Sequence, residues 1–136
     1  MRTLLATSAL LVATALLGAC SEAEDAVRGA AEDAGCAVAQ RAADEAERRA
    51  RDAVADLGAD PQAARRELEG IREALRAAEA GLGGETRRQV GRARDAVDVL
   101  LGQARRAADG TRVDDEAVAD AERRLDDAVG EITTVC

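Results

Sequence analysis

Apolar residues recur every three or four positions in four separate segments of this chain, the spacing of one face of an α-helix. Alanine is so frequent that the placement of Leu, Ile and Val carries most of the signal. The four stripes are Cys36, Ala39, Ala43, Ala46, Ala50, Ala53 and Leu57; Ala64, Leu68, Ile71, Leu75, Ala78 and Leu82; Val90, Ala93, Val97, Leu100, Ala104 and Ala107; and Val118, Ala121, Leu125, Ala128, Ile132 and Val135. The pattern predicts four amphipathic helices.

Residues that start or stop helices lie between these segments. Asp60 is expected to be an N-cap, and Pro61 the first residue of the second helix, where its missing N–H costs nothing. Three acids open the fourth helix, where the helix dipole favours negative charge. The interruptions are Gly58; Gly81, Gly83 and Gly84; and Gly110 with Thr111, and the acids are Asp114, Asp115 and Glu116.

Four helices of about 20 to 25 residues, joined by short loops, favour antiparallel neighbours. The predicted fold is therefore all-α: an up-down-up-down four-helix bundle with Ala-rich heptads, closed by a disulfide if its cysteines pair. A long hairpin that dimerises is an alternative. The scarcity of Leu, Ile and Val together with a net charge of -8 is also typical of disordered chains, but the periodicity favours helices.

Four glycines inside the predicted helices mark either close helix crossings or simple tolerance: Gly70, Gly91, Gly102 and Gly130.

The N-terminal segment has the pattern of a secretory signal. Arg2 supplies a positive charge, and an uncharged apolar run from Leu4 to Leu17 follows it. This run is too short to span a bilayer, which takes about 20 apolar residues. We therefore expect residues 1–19 to be a cleaved signal peptide.

The run ends in Leu17, Gly18, Ala19 and Cys20, which resembles the lipobox of bacterial lipoproteins. The resemblance implies cleavage between Ala19 and Cys20 and a lipid on the Cys20 sulfur, and it covers only this N-terminal segment. The chain is also similar to murein lipoprotein in size and Ala-rich heptads, but it ends in Cys136 where that family ends in lysine, so wall attachment is not carried over.

The expected organisation is a signal peptide (residues 1–19), a lipidated tether (20–35) and a helical bundle domain (36–136). The tether is acidic and contains two glycines, and we interpret it as flexible or as a helical extension that frays. Its lipid would attach the protein to the cell membrane or the outer membrane, on the extracytoplasmic side.

The chain has three cysteines. If Cys20 carries lipid, two cysteines are left, an even number that can form one pair. Outside the cytoplasm the remaining pair, Cys36 and Cys136, favours a disulfide. A redox-active or metal-binding pair is less favoured, because there is no CxxC spacing and no histidine. An even number of antiparallel helices places the first residue of helix one beside the last residue of helix four, so the pairing and the helix count support each other.

The composition limits the functions that the sequence supports. The chain has 19 basic residues, all arginine, against 27 acids and no aromatic residue, so it offers neither a basic stripe nor a stacking platform for nucleic acid. It also has no histidine, lysine or tyrosine to act as a general base, so we predict no enzymatic activity and no cofactor. Carboxylate pairs on exposed helices lack the loop geometry of a calcium site, and no metal site is predicted.

These observations favour a non-enzymatic, membrane-anchored scaffold or interaction module of the cell envelope. Its expected partners are the membrane, through the lipid on Cys20, and another envelope protein. The alternative is a carrier that holds a lipid or another apolar ligand between its helices.

Overall fold

The computed structural model describes the backbone of residues 16–136 and the side chains from residue 24 onwards. It contains four helices: α1 (Leu16–Ala55), α2 (Pro61–Ala80), α3 (Gly84–Ala108) and α4 (Asp115–Val135). The chain divides into two compact units with the boundary between Ala34 and Gly35. In the described part of the chain, no helix combines the length and the apolar content needed to cross a membrane.

The predicted antiparallel four-helix bundle is confirmed in the unit that begins at Gly35. Helix α3 packs against both α2 and α4. Helix α1 lies beside α2, where Arg49 pairs with Glu67, and beside α4, where Arg51 pairs with Asp126. Connections of only a few residues join successive helices, which therefore reverse direction at each turn.

The first helix extends N-terminally beyond the apolar stripe that begins at Cys36. Helix α1 spans 40 residues and includes the tether segment, for which the sequence left two alternatives, a flexible segment or a helical extension. That segment is rich in alanine and glutamate, which favour the helix, and it contains no proline. Its side chains from Glu24 to Ala34 are exposed. Helical propensity alone therefore accounts for this extension of α1 better than burial does.

The helix starts agree with the predicted capping. The Asp60 carboxylate accepts a hydrogen bond from the Ala63 N–H at 2.9 Å, with Pro61 as the first helical residue. Asp114 caps α4 in the same way, accepting from the Ala117 N–H at 3.1 Å. Each cap satisfies a backbone donor that has no partner inside its helix.

The core consists mainly of the predicted stripes, and nearly half of its buried apolar residues are alanine. Three further apolar residues, Ala96, Leu101 and Val129, are also buried and widen the apolar faces of α3 and α4. The stripes weaken at the helix ends, since Val135 is 38% exposed. The largest fully buried side chains are Leu68, Ile71, Leu75, Val90, Val97, Leu100, Leu101, Leu125 and Ile132.

The helical glycines do not mark close contacts between backbones. A Cβ added at Gly102 or Gly130 would meet nothing within 4 Å. At Gly70 and Gly91 it would approach only the tips of the Arg49 and Glu79 side chains, at 3.6 and 3.5 Å. Plain tolerance of glycine therefore explains these positions better than close helix crossings do.

The free space at Gly102 and the positive φ of Gly110 predict opposite effects when each glycine is replaced by alanine. Gly102→Ala should raise the free energy of unfolding by about 0.5 to 1 kcal/mol, because alanine favours the helix and space is available. Gly110→Ala should lower it by about 1 to 2 kcal/mol, because Gly110 has a φ of 73° that disfavours a Cβ. Urea denaturation of both variants measures the two changes, and equal signs would contradict this interpretation.

Candidate functional site at the disulfide end of the bundle

Cys36 and Cys136 come together although 100 positions separate them in the sequence. Their Cα atoms lie 5.4 Å apart, and the two sulfur atoms are at disulfide distance. Cys36 lies near the boundary at Gly35, and Cys136 is the C-cap of α4. The predicted juxtaposition of these two residues is confirmed.

Residues of α1 and α3 and the segment after α2 lie at the same end of the bundle as this pair. The Thr86 hydroxyl in the first turn of α3 lies 4.0 Å from the Cys136 sulfur. A Cβ built on Gly35 of α1 would lie 3.4 Å from the Cδ2 atom of Leu82, which follows α2. The first and last residues of the bundle domain therefore meet at the end where α2 connects to α3. We call this end, with Gly35, Cys36, Leu82, Thr86 and Cys136, the clasp end.

The predicted lipidation residue is only partly covered by the structure. The backbone of Ala19 and Cys20 belongs to α1, but the structure does not describe their side chains. Residues 1–15 lie outside the described residues. Lipidation of Cys20 and cleavage after Ala19 therefore stay predictions from the lipobox resemblance.

Several arginines on the surface pair with acids three or four positions away on the same helix. Arg124 pairs with Asp120, four positions before it, with nitrogen and oxygen 2.6 Å apart. Arg48 pairs with Glu45, three positions before it, rather than with Asp44, four positions before it. Arg-Arg dipeptides recur along the chain, and in two of them, Arg48-Arg49 and Arg123-Arg124, both arginines pair with one acid of the same helix. Such exposed pairs each contribute little stability.

One interhelical pair stands out because it shifts the pKa values of both partners. The Arg49 Nε donates to Glu67 Oε1 at 2.5 Å, joining α1 to α2. This hydrogen bond lowers the pKa of Glu67 and raises the pKa of Arg49, and the attraction between the two charges adds to both shifts. Glu67 is therefore ionised in the folded protein to lower pH than in the unfolded chain.

The lowered pKa of Glu67 predicts an acid-sensitive contribution to stability. The unfolded chain takes up the proton first, near pH 4.5, so the contribution is complete above this value and is lost as pH falls through the lower folded pKa. We expect Glu67→Gln to reduce the loss of melting temperature on acidification. Melting curves on both sides of pH 4.5 measure this effect. Glu73→Gln is the control, and the same acid response in both variants would contradict the assignment.

Two surface grooves flank α3, and charged side chains line both. The groove between α3 and α4 has a volume of about 340 Å³ and includes Arg92, Arg124 and Asp127 around Ala96 and Ala128. The groove between α2 and α3, of about 370 Å³, is lined by Arg72, Arg76, Arg94 and Asp98. An apolar ligand could lie between the helices only if one of these two grooves opened towards the core. The alternative function, a carrier of an apolar ligand, therefore stays a prediction.

Two buried glutamines, Gln89 and Gln103, lie outside the predicted apolar stripes. Gln103 is 7% exposed, and its Oε1 accepts a hydrogen bond from the Asp114 N–H at 3.0 Å, which holds the loop before α4. Gln89 is 3% exposed and donates to Glu85 at 2.6 Å while lining the groove between α3 and α4. A polar residue next to a stripe position, such as Gln89 before Val90, is the only sequence signal for either.

Two members of the carboxylate pairs that are adjacent in sequence, Asp114 and Asp126, have structural partners. Asp114 caps α4, and Asp126 pairs with Arg51 at 3.0 Å. Among the residues that the structure describes, no group of three or more cysteine, aspartate or glutamate side chains is arranged to hold a metal ion. Each of these two carboxylates therefore has a structural role that needs no cation.

Comparison with protein-family models, with curated proteins and with solved structures finds no significant match to this chain.

Proposed function

We propose that this protein is a non-enzymatic lipoprotein of the cell envelope, whose helical bundle is held at a membrane by lipid on Cys20 and binds another envelope protein. The anchor rests on the signal-like segment and on the lipobox Leu17-Gly18-Ala19-Cys20. On this proposal the mature chain begins at Cys20, and the bundle lies on the extracytoplasmic side of the cell membrane or the outer membrane. Two or more acyl chains give the stable attachment that a single chain does not.

The observation that carries this proposal is the meeting of Cys36 with Cys136. A disulfide is stable in an extracytoplasmic compartment and rare in the cytoplasm, so the pair supports export independently of the lipobox. It also ties the last residue of α4 to the point where the chain enters the bundle. The membrane-attached segment therefore joins the bundle domain at the clasp end.

The chemistry of the surface supports binding to a protein rather than catalysis. The whole chain lacks histidine, lysine and tyrosine, and its only serines are Ser8 and Ser21, which precede the bundle. Interspersed charges of both signs, as around the groove between α3 and α4, suit a partner with complementary charges. We therefore assign the role of scaffold or interaction module to the bundle domain.

The anchor is tested by fractionating cells that produce the natural chain, a Cys20→Ser variant or a Cys136→Ser variant. The natural chain and Cys136→Ser should both be found in the membrane fraction and should incorporate a labelled fatty acid. Cys20→Ser should incorporate none. Labelling of Cys20→Ser equal to that of the natural chain would contradict the anchor.

The partner is tested by crosslinking intact envelopes and purifying the protein under denaturing conditions. We expect one envelope protein to be recovered repeatedly with the natural chain. A variant with Arg92→Glu and Arg124→Glu, which reverses two charges of the groove between α3 and α4, is the matched comparison for that surface. Repeated recovery of the bundle alone would contradict the scaffold role.

A further inference from the structure

The four helices contribute unequally to the core of the bundle. All of the largest fully buried side chains belong to α2, α3 and α4. The part of α1 in the bundle contributes only alanines to the buried core, namely Ala39, Ala43, Ala46, Ala50 and Ala53. Since buried apolar area drives association, α1 is held by much less of it than the other helices are.

The polar contacts of α1 with its neighbours do not offset this difference. Arg49 pairs with Glu67 of α2, and Arg51 pairs with Asp126 of α4. All four side chains are between 31% and 57% exposed, so water competes for both pairs. The disulfide at the clasp end is therefore the strongest constraint on α1.

This constraint is open to reagents in solution. Cys136 is exposed and Cys36 is partly exposed, so an attacking thiolate has access to the bond. At the other end, α1 connects to α2 through residues 56–60, which contain the exposed Gly58. A short connection of this kind can act as a hinge when two copies of a chain exchange an element.

We propose that opening the Cys36–Cys136 disulfide allows two copies of this chain to exchange α1. A dithiol reductant transfers two electrons and two protons to the disulfide, giving two thiols and the cyclic disulfide of the reductant. Helix α1 then leaves the groove formed by α2, α3 and α4. The helix that fits this groove without new packing is α1 of a second copy, because its alanine seam is the one the groove already accommodates.

The exchange has a specific covalent consequence. In the exchanged pair, Cys36 of each copy lies beside Cys136 of the other copy. A disulfide oxidant such as oxidised glutathione then removes two electrons and two protons from each thiol pair and joins the copies covalently. Two copies become linked by the same residue pair that closes the single bundle.

The experiment uses the full chain with Cys20→Ser, which leaves only Cys36 and Cys136 as thiols. Unlabelled and ¹⁵N-labelled copies are mixed, reduced with dithiothreitol, and reoxidised with oxidised glutathione. Mass spectrometry of the digested protein then identifies the linked peptides. We expect Cys36–Cys136 pairs that contain one labelled and one unlabelled peptide, and circular dichroism of the reduced protein should retain most of the helical signal.

An unreduced mixture is the control, in which only unmixed pairs should appear. Unmixed pairs alone after reduction and reoxidation would overturn the proposal, because no exchange took place. Mixed pairs accompanied by equal amounts of Cys36–Cys36 and Cys136–Cys136 would also overturn it, since they indicate unfolding and random pairing. Loss of the helical signal on reduction would count against it for the same reason.

Discussion

Opening the Cys36–Cys136 disulfide should lower the free energy of unfolding of the bundle by about 4 to 5 kcal/mol in the chain-entropy model. The bond closes a loop of 100 positions, so it removes many conformations from the unfolded chain. A domain of this size has a total stability of about 5 to 15 kcal/mol. We expect the melting temperature to fall by at least about 15 °C on this basis.

Circular dichroism melting of the Cys20→Ser chain, with and without dithiothreitol, measures this loss. The control is the Cys20→Ser/Cys136→Ser chain, whose melting temperature should already be low and should not respond to the reductant. If reduction left the melting temperature of the Cys20→Ser chain unchanged, the disulfide would not hold the bundle together as described.

Leu100→Ala should have the second largest effect, a loss of about 2 to 5 kcal/mol in the free energy of unfolding. Leu100 is 0% exposed on α3, the helix that packs against both α2 and α4. Removing its side chain deletes buried apolar area and leaves a cavity that rigid neighbouring helices fill only in part. In a core with so many alanines, each leucine carries a large share of the apolar burial.

Leu82→Ala is the matched control for this substitution, because the same atoms are removed from a partly exposed position after α2. Chemical denaturation of both variants should show the larger loss at Leu100. Equal losses, or the larger loss at Leu82, would contradict the assignment of the core.

The sequence was sufficient to predict the fold class, for a definite physical reason. Leucines such as Leu68 and Leu125 occur at helical spacing, and the breakers Gly58 and Pro61 fall between stripes, so periodicity and loop chemistry agree. The pairing of the cysteines then required an even number of antiparallel helices. The four-helix fold and the meeting of Cys36 with Cys136 were thus predicted together, and the structure confirms both.

Other features could not be predicted because they depend on the neighbours of each helix. Gln103 is buried because the loop before Asp114 folds against it, a contact across 11 positions that no periodicity encodes. The pairing of Arg48 with Glu45 over Asp44 reflects side-chain reach on one helix face.

The four helices contribute unequally to the buried core, and this can be recognised in the sequence only once the structure is known. The first stripe is alanine from Ala39 to Ala53, whereas the others include leucine, isoleucine or valine. Periodicity treats these stripes as equivalent. The structure shows that the alanine stripe is also buried, so α1 packs with small side chains while the larger ones belong to α2, α3 and α4.

The most direct test of the lipid anchor and the disulfide is the intact mass of the protein purified from membranes, measured after alkylation with and without prior reduction. We expect a chain that begins at Cys20, carries the mass of a diacylglyceryl group, and is alkylated at two positions only after reduction. A chain that retains its N-terminal segment, carries no lipid and is alkylated at Cys20, Cys36 and Cys136 without reduction would contradict this expectation.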